Sequence, residues 1–210
     1  MSFTKLVRRA ALAAVAAAAL AAVTTVPAHA STTSPKHYTL KRGMNLEGFN
    51  AAVAKANGYK IVTYANGDEQ SVPIHPKSGL RDSPLLVRTK SGGLTADNSS
   101  TDGIYGNCGY SWITSTQTST DHIKIQSGFS VSPAAVYFNW FVSLNDANGS
   151  STQGAGGYLD FDPSWTGTWT NLYQYEYSID EVLSDESFAT LDNGEVCSSA
   201  GPWVVISGLN

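Results

Sequence analysis

The clearest strand signal lies at residues 136–144, which read Val-Tyr-Phe-Asn-Trp-Phe-Val-Ser-Leu. Every second residue from Val136 onward is apolar, and Tyr137 and Phe141 add apolar side chains on the opposite face. Strands that are buried on both faces show this kind of nearly continuous apolar run. The stretch therefore predicts a central strand of a β-sheet.

Shorter alternating segments surround this strand from residue 104 to the C-terminus. Alternation marks residues 110–116, 123–126 and 173–179, and turn signals separate the segments. A strand at 159–162 should end at a Pro163-Ser164 turn. This pattern is typical of a β-sandwich or small barrel over residues 104–210. Residues 178–186 stay open, because Ser178-Ile-Asp-Glu181 also fits a helix capping box.

The part before this β-domain predicts a short helix followed by a β-hairpin, within residues 31–75. Asn45 is a plausible N-cap for a helix at about 46–56. Asn66-Gly67 then separates two extended runs, which is a strong hairpin signal. Residues 76–103 are rich in Ser, Gly, Pro, Asp and Asn and predict a linker or long loop, with an edge strand at 84–89 as the alternative.

The first 30 residues have the pattern of a secretory signal peptide. A basic start is followed by an Ala-rich apolar run and by the small-residue cleavage site Ala28-His-Ala30. Removing these 30 residues from the 210 leaves 180. The apolar run is shorter than the roughly 20 residues of a membrane-spanning helix. We therefore expect a secreted, extracellular protein without membrane attachment.

The charges are distributed unevenly along the mature chain. Without the three basic residues of the signal, 10 basic residues face 17 acidic ones, a net charge of −7. Residues 125–210 hold ten carboxylates and neither Lys nor Arg, whereas residues 31–124 have a net charge of +3. Phosphate binding depends on Lys and Arg, so nucleic acid is not expected as a partner. Either the basic part lies against the acidic part, or the acidic part meets a basic partner.

The two cysteines, Cys108 and Cys197, predict one disulfide, since an exported chain meets an oxidising environment. The bridge would close a loop of about 90 residues near the two ends of the β-domain. A zinc site would need further ligands at suitable spacing, which the chain does not offer.

Several stretches resemble a group of small secreted actinobacterial proteins that carry no assigned function. They are Tyr105-Gly-Asn-Cys-Gly-Tyr-Ser-Trp112, Ser127-Gly-Phe-Ser-Val131 and Asp192-Asn-Gly-Glu-Val-Cys197. The resemblance covers roughly the β-domain. It implies export and a β fold with one disulfide, and it carries over no catalytic residue.

Catalytic and metal motifs are scarce. Asp121-His122 beside a Ser/Thr-rich turn leaves a Ser–His–Asp set open, but such sets are recognised by geometry. Residues 146–152 place oxygen side chains at alternate positions, as in a calcium loop or an ordinary hairpin turn. We therefore predict no catalytic residue, metal or cofactor, and leave open whether the protein is an enzyme.

The aromatic residues are the best indication of function. Trp165 and Trp169 lie four residues apart with Gly167 between them, so an extended segment would form a flat strip about 13 Å long. Rings on a sheet face stack on sugar rings, and carboxylates accept hydrogen bonds from sugar hydroxyls. The candidate ligand-binding residues are Trp165, Trp169, Tyr173, Tyr175, Asp160 and Asp162. For Trp112, Phe138, Trp140 and Trp203 we expect core positions instead.

Three functions remain open. The first is a secreted, non-catalytic binding module for an extracellular or cell-wall glycan. The second is an acidic protein-interaction or inhibitor protein with a basic partner. The third is a glycan-cleaving enzyme that uses Asp160, Asp162 or Glu176 as its carboxylates.

Overall fold

The structure, a computed structural model, describes residues 35–76, 79–91, 93–96 and 103–209. The predicted signal peptide lies outside these residues. The described chain is mainly β, as predicted, and none of its helices is both long and apolar enough to cross a membrane. Its elements are β1 (His37–Phe49), α1 (Ala51–Ala56), β2 (Tyr59–Thr63), β3 (Glu69–Pro73), β4 (Leu86–Arg88), β5 (Leu94–Ala96), β6 (Gly109–Gln117), β7 (His122–Asp146), β8 (Gly149–Tyr173), β9 (Tyr177–Val182), β10 (Phe188–Leu191), β11 (Glu195–Ser199) and β12 (Trp203–Ser207).

The larger sheet closes on itself into a barrel-like shape. Its strand order is β10-β11-β1-β6-β7-β9-β12, and β8 lies along β7. Strand β10 also pairs with β7, between Phe188 and Asn139 among others, which joins the first strand of this order back to the middle of the sheet. Of the two architectures that the sequence allowed, the molecule therefore has the barrel-like one.

Strands β7 and β8 are 25 residues each and pair antiparallel on both sides of an interruption. The sequence predicted them as separate short strands, with a chain turn at Pro163. Both strands instead continue past this point, and the register shifts between Ser130 and Tyr137 on β7, opposite Tyr158 to Ser164 on β8. The prediction of a turn at Pro163 was wrong, because pairing with β7 keeps β8 extended on both sides of a local bulge.

The core lies inside the closed sheet and is centred on Trp140, which is fully buried. The rings of Phe129 and Trp165 pack against it, with centroids at 5.3 and 6.2 Å. The indole N–H donates to Oγ of Ser127 at 2.9 Å, so its single polar group is satisfied. The prediction of a central strand at 136–144 is confirmed, because β7 pairs with β8, β9 and β10 there. The face that carries Trp140 is buried, whereas Tyr137 and Phe141 on the other face are half-buried.

The predicted disulfide is present. Cys108 and Cys197 are bonded, 89 residues apart in sequence, with Cα atoms 6.1 Å apart. Cys108 precedes β6 and Cys197 lies in β11, and both are buried. The bridge therefore joins the start of β6 to the closing strands of the barrel.

The short helix begins later than the sequence indicated. Asn50, rather than Asn45, is the N-cap: its side chain accepts from the backbone N–H of Ala52 and Val53, both at 3.1 Å. Residues 46–49 belong to β1, where Leu46 is opposite Cys197. The helical spacing was misleading because pairing with β11 decides the conformation there.

A smaller sheet, of order β2-β3-β4-β5, lies between α1 and β6 in the chain. Strands β4 and β5 fall within the predicted linker, and β4 lies inside the alternative edge strand at 84–89. Strand β1, in the N-terminal segment, pairs with β6 and β11 of the larger sheet. The helix and the small sheet therefore interrupt the barrel in sequence and do not simply precede it.

Candidate functional site

In residues 177–180 of strand β9, the polar side chains are buried and the apolar side chains are exposed. Ser178 and Asp180 are fully buried, whereas the side chains of Tyr177 and Ile179 are 41% and 37% exposed. Amphipathic strands normally show the opposite arrangement. Departures from the usual placement of polar and apolar residues concentrate at functional sites, so the outer face of β9 is a candidate functional surface.

The buried side of β9 is held by hydrogen bonds. The carboxyl of Asp180 accepts from Oγ of Ser115 at 2.5 Å and from Oγ of Ser178. Burial raises the pKa of Asp180, while the two hydroxyls lower it in part. The helical turn that the capping box allowed is absent at residues 177–182, because these residues pair with β12. The side chain of Ser178 therefore lies in the barrel interior and does not cap a helix.

Strand β12 extends the apolar outer surface. Trp203 and Val205 are 47% and 40% exposed, and Val205 lies directly opposite Ile179. Together, Tyr177, Ile179, Trp203 and Val205 form what we call the β9–β12 outer face. The expectation that Trp203 is a core residue was wrong. Residues 203–206 are apolar throughout, so the sequence does not reveal which alternate residues point inward.

A groove separates β12 from β1. At one end of the groove, the loop between β11 and β12 bonds to β1, where the Ala200 N–H donates to the Gly43 carbonyl at 3.0 Å. At the other end, Nζ of Lys36, the residue before β1, donates to the Ser207 carbonyl of β12. Between these ends, the described strands pair only with β6 and β9 on their far sides. We call this opening the β1–β12 groove.

Aromatic rings line both walls of the β1–β12 groove. Tyr38, on β1, is 40% exposed, and Trp203, on β12, is 47% exposed. The groove has a volume of about 380 Å³. Its lining residues are Tyr38, Thr39, Leu40, Arg42, Trp203, Val204 and Val205. Sequence reasoning missed this site because its walls lie about 160 residues apart in the chain and meet only when the barrel closes.

The predicted tryptophan strip is not flat or open. Trp165 and Trp169 are half-buried and pack against the core, and their ring centroids are 6.3 Å apart with planes at 64°. Both rings lean over Gly167, where a Cβ would lie 2.5 Å from Trp165 and 2.8 Å from Trp169. The ring of Trp165 lies 4.5 Å from that of Phe138. The glycine brings the two indoles together and does not separate them.

The two candidate tyrosines lie at the surface. Tyr173 is 58% exposed, and its ring packs edge-to-face with that of His122, with ring centroids 5.7 Å apart. Tyr175 is 38% exposed, and its backbone N–H donates to Asp146 at 2.9 Å. The same carboxylate accepts from the N–H groups of Asn148 and Gly149. Asp146, the first residue of the possible calcium loop at 146–152, is thus a turn residue whose carboxylate accepts from three backbone N–H groups.

The candidate carboxylates lie at different parts of the fold. Asp160 and Asp162 are exposed on β8 at its bulge, with Phe161 between them in the left-handed region at φ 53°. The Asp162 side chain accepts from the backbone N–H of Ser164 at 2.9 Å. Glu176 is exposed in the loop after β8, where its carbonyl accepts from the N–H of Leu209. The regular strand face that would align the two aspartates is interrupted at the bulge.

The Asp121 and His122 pair does not have the geometry of a catalytic triad. Asp121 Oδ1 lies 2.6 Å from Nδ1 of His122, and Oγ of Ser119 lies 3.3 Å from the same ring nitrogen. A triad needs the hydroxyl at the nitrogen opposite the carboxylate. The hydrogen bond from His122 lowers the pKa of Asp121. The three residues therefore form a polar turn.

A buried acidic cluster lies beside the disulfide. Glu195 is 1% exposed, and its Oε2 atom lies 3.9 Å from both sulfur atoms. Its Oε1 atom accepts from Nδ2 of Asn193 at 2.6 Å. Burial raises the pKa of Glu195 to about 7 and also raises the pKa of Asp192. Although one carboxylate and two sulfurs meet here, the sulfurs are bonded to each other and are not thiolate ligands.

Among the described residues, no ion pair joins the basic part of the chain (residues 31–124) to the acidic part (residues 125–210). The ion pair found among the described residues links the neighbours Asp121 and His122. Lys36, Arg42 and Lys124 form none with a described carboxylate. The two parts nevertheless lie against each other in the larger sheet, because β1 pairs with β11 and β6 pairs with β7.

We found no match of this chain to a known family model, to a curated protein or to a solved structure.

Proposed function

We propose that this protein is a secreted, non-catalytic binding module for an extracellular or cell-wall glycan. The observation that supports this function is the pair of aromatic side chains, Tyr38 and Trp203, on opposite walls of the open β1–β12 groove. Large, half-exposed rings are costly to leave in water, and surface patches of this kind are commonly binding sites.

The groove combines apolar and polar recognition. Its aromatic rings suit the C–H faces of a sugar ring. Between the two ends of the groove, β1 pairs only with β6 and β12 only with β9 among the described residues, so backbone groups on the edges that face the groove can bond to sugar hydroxyls. A concave, mainly apolar site with a few polar groups is the usual form of a small-ligand site.

The test is binding of the mature protein to insoluble chitin, cellulose and peptidoglycan. We expect Tyr38→Ala and Trp203→Ala to lose binding to the retained polymer. Tyr158→Ala is the matched control, because Tyr158 is 90% exposed on β8 and does not line the groove. A Tyr173→Ala/Tyr175→Ala variant tests the earlier candidate surface. Equal binding by the Trp203→Ala variant and the native protein would refute the groove as the site.

A protein partner is the second candidate, supported by the aliphatic pair on the β9–β12 outer face. Ile179 and Val205 lie directly opposite each other and are exposed at 37% and 40%. Aliphatic side chains add apolar area to a protein interface but offer no ring for a sugar to stack on. An Ile179→Ser/Val205→Ser variant that keeps glycan binding and loses protein capture would identify this second function. Capture of a basic protein should weaken as salt rises.

A further inference from the structure

The β1 wall of the groove is basic, and the β12 wall is uncharged. Residues 35–46 contain Lys36, Lys41 and Arg42 and no carboxylate, whereas residues 203–209 contain no charged side chain. The protein as a whole is acidic, with a formal net charge of −4 for the full chain. The groove is thus a positively charged surface region on an acidic molecule, and such a region favours an anionic ligand.

Arg42 is the cation that remains available inside the groove. Lys41 points to the other face of β1, where its Nζ lies 4.4 Å from the ring centre of Tyr110. Lys36 donates to the Ser207 carbonyl and closes the end of the groove. Arg42 is exposed, lines the groove and forms no ion pair with a described carboxylate. Its five N–H donors are therefore free of carboxylate partners within the described structure.

We infer that the β1–β12 groove binds a sugar that bears a carboxylate, a uronic acid, with the Arg42 guanidinium holding the carboxylate. This inference rests on the proposed function and specifies its ligand. Guanidinium and carboxylate match as a bidentate pair, and the rings of Tyr38 and Trp203 flank the sugar.

The experiment compares three soluble probes by calorimetry or tryptophan fluorescence. They are a galacturonic acid oligomer, its methyl ester of the same length, and a sugar phosphate. We expect the native protein to bind the acid at least ten-fold more tightly than the ester, because hydrogen bonds to charged groups are the stronger ones. Arg42→Gln should remove this preference, so that the acid and the ester bind with similar affinity. Lys41→Gln, one residue along on the opposite face, is the charge-matched control and should retain the preference.

The outcomes separate the inference from the proposed function. Equal affinity for acid and ester, with both lost in Trp203→Ala, overturns the inference and keeps the glycan-binding groove. Equal loss in Arg42→Gln and Lys41→Gln overturns it too, because general charge attraction then explains the preference. Tighter binding of the sugar phosphate contradicts the carboxylate assignment. No binding of any probe overturns the inference, and the polymer pull-down then decides the proposed function independently.

Discussion

The carboxyl oxygen Oε2 of Glu195 lies 3.9 Å from Sγ of Cys197, inside the barrel wall. A disulfide sulfur has no proton to donate, so this contact does not stabilise a negative charge. The polar partner of the carboxyl is the Asn193 amide, 2.6 Å from Oε1. Desolvation of the buried carboxylate outweighs the hydrogen bond from Asn193, and it raises the pKa of Glu195 from its usual 4.5 to about 7.

The first prediction concerns the dependence of stability on pH. Because the folded state holds the Glu195 proton more tightly than the unfolded state, the contribution of Glu195 to the free energy of unfolding is largest below pH 4.5. It should fall as pH rises towards about 7 and level off above that value. The expected loss is about 3 kcal/mol. Urea unfolding at a series of pH values from 4 to 8 measures it.

The control for this effect is Glu195→Gln, which keeps an acceptor for Asn193 and removes the titration. The variant should be more stable than the native protein at pH 8, with a flatter pH profile. Asp180 and Asp192 also have raised pKa values, so part of the fall persists. A Glu195→Gln profile as steep as the native one would contradict the assignment to Glu195.

The second prediction concerns the disulfide. The bridge closes a span of 89 residues, for which loop entropy predicts a stabilisation of about 4–5 kcal/mol. A Cys108→Ala/Cys197→Ala variant should lose about this much free energy of unfolding. Adding reductant to the native protein should reproduce the loss, whereas the variant should not respond. A variant as stable as the oxidised native protein would show that the bridge does not stabilise the fold.

The third prediction compares two tryptophans that the sequence placed together in the core. Trp140 is fully buried and Trp203 is 47% exposed. Trp140→Ala should cost about 3–5 kcal/mol, as large-to-small changes in cores do. Trp203→Ala should cost about 1 kcal/mol or less, because such surface changes are small. Similar losses in chemical denaturation for both variants would place Trp203 in the core after all.

The fourth prediction concerns the glycine between the two indoles. A methyl group at Gly167 would lie 2.5 Å from the Trp165 ring, so Gly167→Ala should destabilise the protein by about 1–3 kcal/mol. It should also alter tryptophan fluorescence, since both rings have to move. Gly48→Ala is the matched control in β1, where a Cβ meets nothing within 4 Å. Unchanged stability in both variants would mean that the rings reposition without cost.

Local sequence patterns were sufficient for some features of the fold. The apolar run at 136–144 indicated a buried strand, and Trp140 is indeed fully buried. Cys108 and Cys197 allowed only one pairing within the chain, and the structure has it. These predictions held because each depends on chemistry that is present in the residues themselves.

Other features depended on contacts between distant segments. Leu46 had helical spacing but lies in β1, because pairing with β11 outweighs a weak local preference. Pro163 indicated a turn, yet β8 continues past it along β7. In each case hydrogen bonds to a strand far away in sequence decided the conformation.

The sequence by itself determined the mainly β class, the disulfide, the buried central strand and the excess of acidic residues. The tertiary structure alone decided which alternate residues face outward on β9 and β12, and that Tyr38 and Arg42 meet Trp203 across a groove. The physical reason is the two-residue period of a strand. A shift of one residue exchanges its inner and outer faces, and only pairing with distant strands fixes that choice.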